Sequence, residues 1–219
     1  MKIACVSDTH WTVQGDVHPS VQLLPVPEAD VLIHAGDATF KGQWPEIEWL
    51  VKWFAAQPHK HKIFVPGNHD LCFDDPQAVH YARKLLAGVH VLIDQGTEID
   101  GVKFWGTPYQ PEFHNWAFNV DEQSRHDHFA LIPDDTDVLI THCPPFGFLD
   151  KVKDTSKAGV RVGCKELLKA VQRVDPKLHV FGHIHGSYGR VDTGRTQFVN
   201  AAMCDEDYQP VNPVRVVEI

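Results

Sequence analysis

The hexapeptide Val65-Pro66-Gly67-Asn68-His69-Asp70 sets an amide, an imidazole and a carboxylate side by side after a short apolar run. Four other stretches repeat the arrangement: Ser7-Asp8-Thr9-His10, Ala35-Gly36-Asp37, Thr141-His142 and Phe181-Gly182-His183-Ile184-His185. Mixed carboxylate, amide and imidazole donors without thiolates suit Mn²⁺, Fe or Zn²⁺ better than Ca²⁺ or a structural zinc. An Asp and a His two residues apart just past a strand project from one face of the pleat, so Asp8 and His10 are expected to reach one cation together. On this reading Asp37 bridges two cations, Asn68, His142 and His183 serve the second, and His185 completes the first.

Two divalent ions against two aspartates leave such a site strongly positive, which would attract phosphate. A pair about 3.5–4 Å apart generates hydroxide from water and steadies both oxygens of an in-line displacement at phosphorus. The expected reaction is therefore hydrolysis of a phosphoester by metal-activated hydroxide. His69 adjoins this centre and is placed to protonate the leaving alkoxide, with Asp70 expected to fix its tautomer and orientation.

The elements that must position these groups are short. Lys2–Ser7, Asp30–Ala35, Lys62–Val65, Asp137–Thr141 and Leu178–Phe181 read as buried strands, each ending at a ligand group. Residues 11–29 hold Gly15, Pro19, Pro25 and Pro27 and read as an exposed loop. Apolar residues at helical spacing predict helices over Glu46–Ala56, Pro76–Leu86 and a stretch from Cys164 to Val174. A strand is expected over Val89–Ile93, a hairpin turns on Asp100-Gly101, and a second turns at Thr193-Gly194 before a last strand over Val214–Ile219. Residues 107–129, rich in aromatics and His, are expected to form a long loop closing one end of the core. Two packed sheets with flanking helices accommodate this order.

The 219-residue chain is expected to form a single domain, residues 1–219, with 43% hydrophobic and 22% charged residues. No run approaches a membrane span or a signal peptide, so a cytoplasmic location without membrane contact is expected. The five cysteines are scattered and odd in number, against a disulfide scaffold. A net charge of −9 disfavours a stable nucleic-acid partner. Of the 15 histidines, His34 and His179 lie within strand runs and are expected to hydrogen-bond structurally. His59, His61, His80, His90, His126 and His128 are expected to be solvated or capping, and Cys143 to be a buried thiol. Nothing in the sequence fixes an oligomeric state.

The blocks D-x-H, G-D, G-N-H-D, a lone H and G-H-x-H, in that order from Asp8 to His185, resemble the calcineurin-like metallophosphoesterases. Gly101–Gly106, Thr141–Gly147, Arg161–Cys164 and Pro176–Gly182 are similar to the animal metallophosphoesterase-domain-containing proteins. The resemblance implies an α/β fold, a four-layer α/β/β/α sandwich of two mixed sheets, with two divalent transition-metal ions at the strand ends. It also implies phosphodiesterase activity on small phosphoesters, including cyclic nucleotides, with Mn²⁺ first among the metals. His114 and Asn115 would meet the polar part of such a ligand, and Phe146 could stack on it. Some animal relatives replace the first His of G-H-x-H with Gly and bind nucleotides with little turnover; His183 is present here. A nucleotide-binding sensor or scaffold on the same fold is the alternative reading.

Overall fold

The computed structural model describes residues 1–11, 25–153 and 159–219, so most of the loop expected over residues 11–29 lies outside it. Among the described residues, two mixed sheets lie face to face. The first runs in the order β13-β1-β2-β3-β4, formed by β1 (Lys2–Val6), β2 (Val31–His34), β3 (His61–Phe64), β4 (His90–Val91) and β13 (Arg215–Glu218). The second has the order β11-β12-β10-β9-β6-β5, with β5 (Gln95–Ile99), β6 (Val102–Thr107), β9 (Val138–Thr141), β10 (Leu178–Phe181), β11 (Gly189–Asp192) and β12 (Gln197–Asn200). The inner strands of each sheet are parallel and only the edges β13, β5 and β11 run antiparallel.

Strand alternation explains the layering. On β1 and β2, Ile3, Cys5, Val31 and Ile33 point into the space between the sheets, where they meet Phe104, Val138, Ile140, Leu178, Val180 and Val199. Their neighbours Ala4, Val6 and Leu32 point the other way and are covered by helices α1 (Trp44–Ala56) and α2 (Pro76–Leu85). Leu139, Phe181 and Phe198 play the same part on the outer face of the second sheet, under α4 (Lys165–Val174). Strands apolar on both faces cannot face water, so both sheets acquire helical cover and four layers result. Each fully buried Leu, Ile or Phe in these layers contributes about 1.5–3 kcal/mol.

The helix ends follow their sequence signals. Glu46 accepts the Gln43 N–H (2.9 Å) at the start of α1, and Asp75 accepts from Gln77 N and Ala78 N ahead of Pro76 in α2. The hairpin β5–β6 turns on Asp100 and Gly101, both at positive φ, as a two-residue I′ turn requires. Residues 107–129 differ from expectation. They contain β7 (Gln110–Pro111), β8 (Asn119–Val120) and most of a helix, α3 (Glu122–Ala130), capped by Asp121 on Ser124 N (2.8 Å). Its sequence, EQSRHDHFA, carries one buried residue, Phe129, so there was no apolar stripe to reveal it. The strand expected over Val89–Ile93 shrinks to His90–Val91. No described helix is long and apolar enough to cross a membrane.

The C-terminal ends of the parallel strands of both sheets open on one rim. There Ser7 N donates to Ala201 O (3.0 Å) and Met203 N to Ser7 O (2.8 Å), stitching the end of β1 to the segment after β12. In open α/β sheets this carboxyl edge is where ligands bind.

Candidate metal centre

At that rim the seven residues expected as ligands converge. His185 Nε2 lies 3.3 Å from Asp8 Oδ1 and 3.0 Å from His10 Nε2. Asp37 Oδ2 lies 3.8 Å from His10 Nε2 and 3.1 Å from His142 Nε2, which is also 3.1 Å from Asn68 Oδ1. Three overlapping groups have donor atoms close enough to share a cation: Asp8, His10 and His185; Asp37, His142 and His183; and His10, Asp37 and His69. Asp37 belongs to two of them.

The backbone reaches this arrangement by a different route from the pleat expected for Asp8 and His10. Asp8 (φ 52°), His10 (φ 44°), Asp37 (φ 52°) and His183 (φ 66°) are all left-handed, so the extended strand has already ended at each. Such backbone costs on the order of 1 kcal/mol or more per residue and persists only where surrounding bonds over-determine it. Here Asp8 N donates to Gly36 O (2.9 Å), His10 N to Asp37 O (3.0 Å), and His183 N to Asp8 Oδ1 (3.0 Å). Gly36, Gly67 and Gly182 admit these contacts. A Cβ at Gly182 would lie 2.0 Å from Asp8 Oδ2, and one at Gly36 would lie 2.4 Å from His142 Nδ1.

Outer partners aim the imidazoles. His142 Nδ1 bonds Ala35 O (2.9 Å), His185 Nδ1 bonds Asp205 O (2.7 Å) and His69 Nδ1 bonds Phe40 O (2.9 Å). Each carbonyl requires N–H at Nδ1, which turns Nε2 toward the centre. Asp70 does not orient His69 as expected. Its carboxylate accepts from Gly67 N (2.8 Å), Thr39 N (2.9 Å) and Thr39 Oγ1 (2.7 Å), tying the loop after β2 to the turn after β3. With Ala38 N (3.3 Å) these make four donors from two loops, which commit both carboxylate oxygens away from the imidazole.

Charge on the protein groups also favours a cation. Burial alone would raise Asp8 and Asp37, yet the histidines around them hold both below the usual carboxylate range. Burial opposes protonation of His142 and His185, but Asp37 and Asp8 respectively pull each up to about 9. Burial pushes His183 down to about 4 and His10 well below its ordinary value. The aspartates thus draw protons onto two inward-facing imidazoles, a role divalent cations would take over on binding. His10 Nδ1 is buried without a hydrogen-bond partner among the described residues.

Beside the centre lies a cavity of about 460 Å³, lined by Asp37, Asn68, His69, His183 and His185, with Glu112, Phe113, Val152, Lys153, Val162, Glu206 and Tyr208. None of the substrate contacts expected from resemblance is among the residues lining this cavity. His114 and Asn115 are exposed beyond the cavity lining, and Phe146 packs beneath Lys165 Nζ (5.6 Å to the ring). Phe113, expected to close the core, instead stands half exposed in the cavity. Tyr208 was not foreseen. It is also left-handed (φ 58°) and places its ring edge-on to His10 (4.8 Å), in the turn whose Asp205 carbonyl supports His185. Asp205-Glu206-Asp207-Tyr208-Gln209 follows no strand-end pattern, so the sequence offered no signal for it.

Residues 1–187 match the family of calcineurin-like phosphoesterases. The chain belongs to that family. A human metallophosphoesterase domain-containing protein 1 is 39% identical over 241 residues, covering 100% of this chain and 71% of its own length. A UPF0046 protein of Caenorhabditis elegans is 38% identical over 223 residues, covering 95% and 72%. Among solved structures, a phosphopantetheinyl hydrolase from Mycobacterium tuberculosis superposes with a TM-score of 0.63 at 18% identity, covering 99% of this chain and 95% of that one. The fold is of the phosphoesterase type, and the chain is a metallophosphoesterase, a phosphoric ester hydrolase dependent on divalent metal ions.

The other histidines divide sharply. His34 Nε2 bonds Thr9 Oγ1 (3.0 Å) and His179 Nε2 bonds Thr141 Oγ1 (2.9 Å), both inside the sheets. His59 is buried against Pro27 O (2.9 Å), neither solvated nor at a helix end, whereas His128, in the last turn of α3, pairs with Asp94 (2.5 Å). Burial pushes His34 and His179 from the ordinary 6.5 down to about 3. Because the unfolded chain binds a proton these groups refuse, their contribution is complete above pH 6.5 and is lost as pH falls toward 3. His179→Gln, which hydrogen-bonds without titrating, is therefore expected to flatten the stability profile. Urea unfolding should lose about 1 kcal/mol less per pH unit between pH 6.5 and 5 than in the wild type; parallel profiles would contradict the assignment.

Proposed function

We propose that this metallophosphoesterase is a dinuclear phosphodiesterase or phosphatase acting on small phosphoesters, with cyclic nucleotides or related diesters as the substrate class. Asp8, His10, His185 and Asp37 would hold one divalent ion, and Asp37, Asn68, His142 and His183 the other. The reading is supported chiefly by Asp37, whose carboxylate lies within shared-cation reach of His10 in one group and of His142 and His183 in another. Two bound cations would polarise the phosphoryl oxygens and acidify water for attack at phosphorus. Mixed imidazole and carboxylate donors suit Mn²⁺, Fe or Zn²⁺, and the family resemblance puts Mn²⁺ first.

The chain's own groups account for the rest. His69 lines the cavity beside Asp37 and His10, and with Nδ1–H held by the Phe40 carbonyl its imidazolium can donate the Nε2 proton to the leaving oxygen. The cavity admits a small ester, and Lys153 adds a cation at its wall. Protein loaded with Mn²⁺ is expected to hydrolyse bis(p-nitrophenyl) phosphate and members of a cyclic-nucleotide panel, and to lose that turnover in EDTA. A loaded protein that binds nucleoside monophosphates but turns over no diester would support the sensor reading instead.

A further inference from the structure

The indole of Trp116 stacks on the imidazole of His69, with ring centroids 4.0 Å apart and planes inclined by 28°. His69 is enclosed on its other sides as well. His10 meets it edge-on at 4.6 Å, Phe40 lies at 5.5 Å, and the Phe40 carbonyl holds Nδ1. These contacts leave two ring freedoms, rotation about the ring axis and swing out of the cavity. The carbonyl stops the first and the indole stops the second.

The segment carrying Trp116 is fastened to the turn carrying His69. Ala117 N donates to Asn68 O (3.1 Å), Phe118 N to Asp74 Oδ2 (3.0 Å), and Gln110 N to Phe118 O (3.0 Å). Phe118, left-handed at φ 58°, is itself fully buried and anchors the segment in the core beside Tyr109. The irregular stretch between β7 and β8 is thereby locked against the Gly67-Asn68-His69-Asp70 turn, although 47 positions separate Trp116 from His69 in sequence.

We propose that Trp116 is the positioning residue for His69 and takes the orienting role that Asp70, committed to Gly67 and Thr39, does not fill. This rests on the phosphodiesterase reading. In that reaction water adds to phosphorus as the P–O bond to the leaving group breaks, the Nε2 proton of the His69 imidazolium, whose Nδ1–H stays on the Phe40 carbonyl, passes to the departing oxygen, and the proton shed by the water restores the imidazolium through solvent, giving an alcohol and a phosphomonoester. A swung-out imidazole would fail most where the leaving oxygen is most basic, because a good phenolate leaves without a proton. The signature of positioning is therefore a leaving-group effect. A purely structural defect would lower every rate alike.

The experiment uses Mn²⁺-loaded protein and a series of aryl methyl phosphodiesters whose phenols range from good to poor leaving groups. His69→Gln and Trp116→Leu are both expected to steepen the fall of kcat with leaving-group basicity, by roughly 10-fold or more at the poor end. The double variant should be no steeper than His69→Gln alone, and Trp116→Phe, which restores a stacked ring, should recover most of the wild-type profile. As a readout without turnover, the His69 ring protons of metal-free protein should lose an upfield ring-current shift in Trp116→Leu and keep most of it in Trp116→Phe. A uniform rate loss in Trp116→Leu, or an unchanged His69 spectrum, overturns the positioning role alone. Absence of any diester turnover by the wild type overturns the phosphodiesterase reading and this proposal with it.

Discussion

Asp37→Asn is expected to lower kcat/KM for bis(p-nitrophenyl) phosphate by about 10³-fold or more, equivalent to roughly 4 kcal/mol of lost transition-state stabilisation. The substitution changes little in size and everything in polarity. Asp37 Oδ1 already accepts the His69 N–H at 2.8 Å, and Oδ2 faces His142 and His10. An amide can keep the first bond only by placing its oxygen at Oδ1, which sends two N–H donors toward the place a cation would occupy. The alternative orientation sets N–H against the His69 N–H. Either way the site loses a shared anionic donor. The effect should be confined to the metal. In EDTA the variant should still unfold cooperatively, while the rise in Tm that Mn²⁺ gives the wild type, as any ligand binding only the folded state must, should vanish. Turnover within tenfold of the wild type would show that Asp37 is not a shared ligand.

What made Asp37 visible in the sequence was its place after a run apolar on both faces, Val31-Leu32-Ile33-His34-Ala35. Such a run can only be a central strand of a covered sheet, and a carboxylate at its end must sit at the rim. The same logic located the groups after β1, β3, β9 and β10, while the strand order within each sheet emerged only from the structure. Local geometry was less legible. Alternation placed Asp8 and His10 on one pleated face, whereas the structure turns both into the left-handed region and brings them together through bonds to Gly36 and Asp37. Those bonds join segments nearly 30 residues apart, and no local pattern encodes them.

The supports of the site were hidden for the same reason. Phe40 and Asp205 act through backbone carbonyls, which every residue possesses, so residue type carries no trace of the role. Trp116 lies in a stretch without periodicity and finds His69 only because Ala117 and Phe118 are bound to Asn68 and Asp74. Asp70 misled in the opposite sense. Adjacent in sequence to His69, it faces across to Thr39 and Gly67, and burial, with Asp37's charge second, pushes its carboxyl up to about 6. Sequence adjacency brought it near the imidazole, and the sharp turn then pointed it away.

Gly67→Ala is expected to remove activity without replacing a single donor atom. A Cβ at this position would lie 2.2 Å from Asp37 Oδ1, 2.4 Å from Asp37 N and 2.8 Å from His142 Cε1. None of these can yield cheaply. Asp37 N belongs to a left-handed backbone held by neighbouring bonds, and the His142 ring is fixed by Ala35 O and buried completely. Overpacking of this kind costs about 1–3 kcal/mol of stability, and a ligand displaced by about 1 Å can lose 10²-fold in rate. Stability loss alone would be ambiguous, so Gly101→Ala provides the comparison. Gly101 has open space around its missing Cβ but a φ of +80°, so an alanine there strains the β5–β6 turn and costs about 1 kcal/mol far from the ligands. Gly101→Ala should therefore melt earlier yet keep its turnover and its Mn²⁺ affinity. Gly67→Ala should lose both even at temperatures where it is fully folded, as judged by circular dichroism beside a metal titration. Equal activity in the two folded variants would mean that the centre tolerates movement of Asp37 and His142, against a site whose ligands are held in place by the absence of one methyl group.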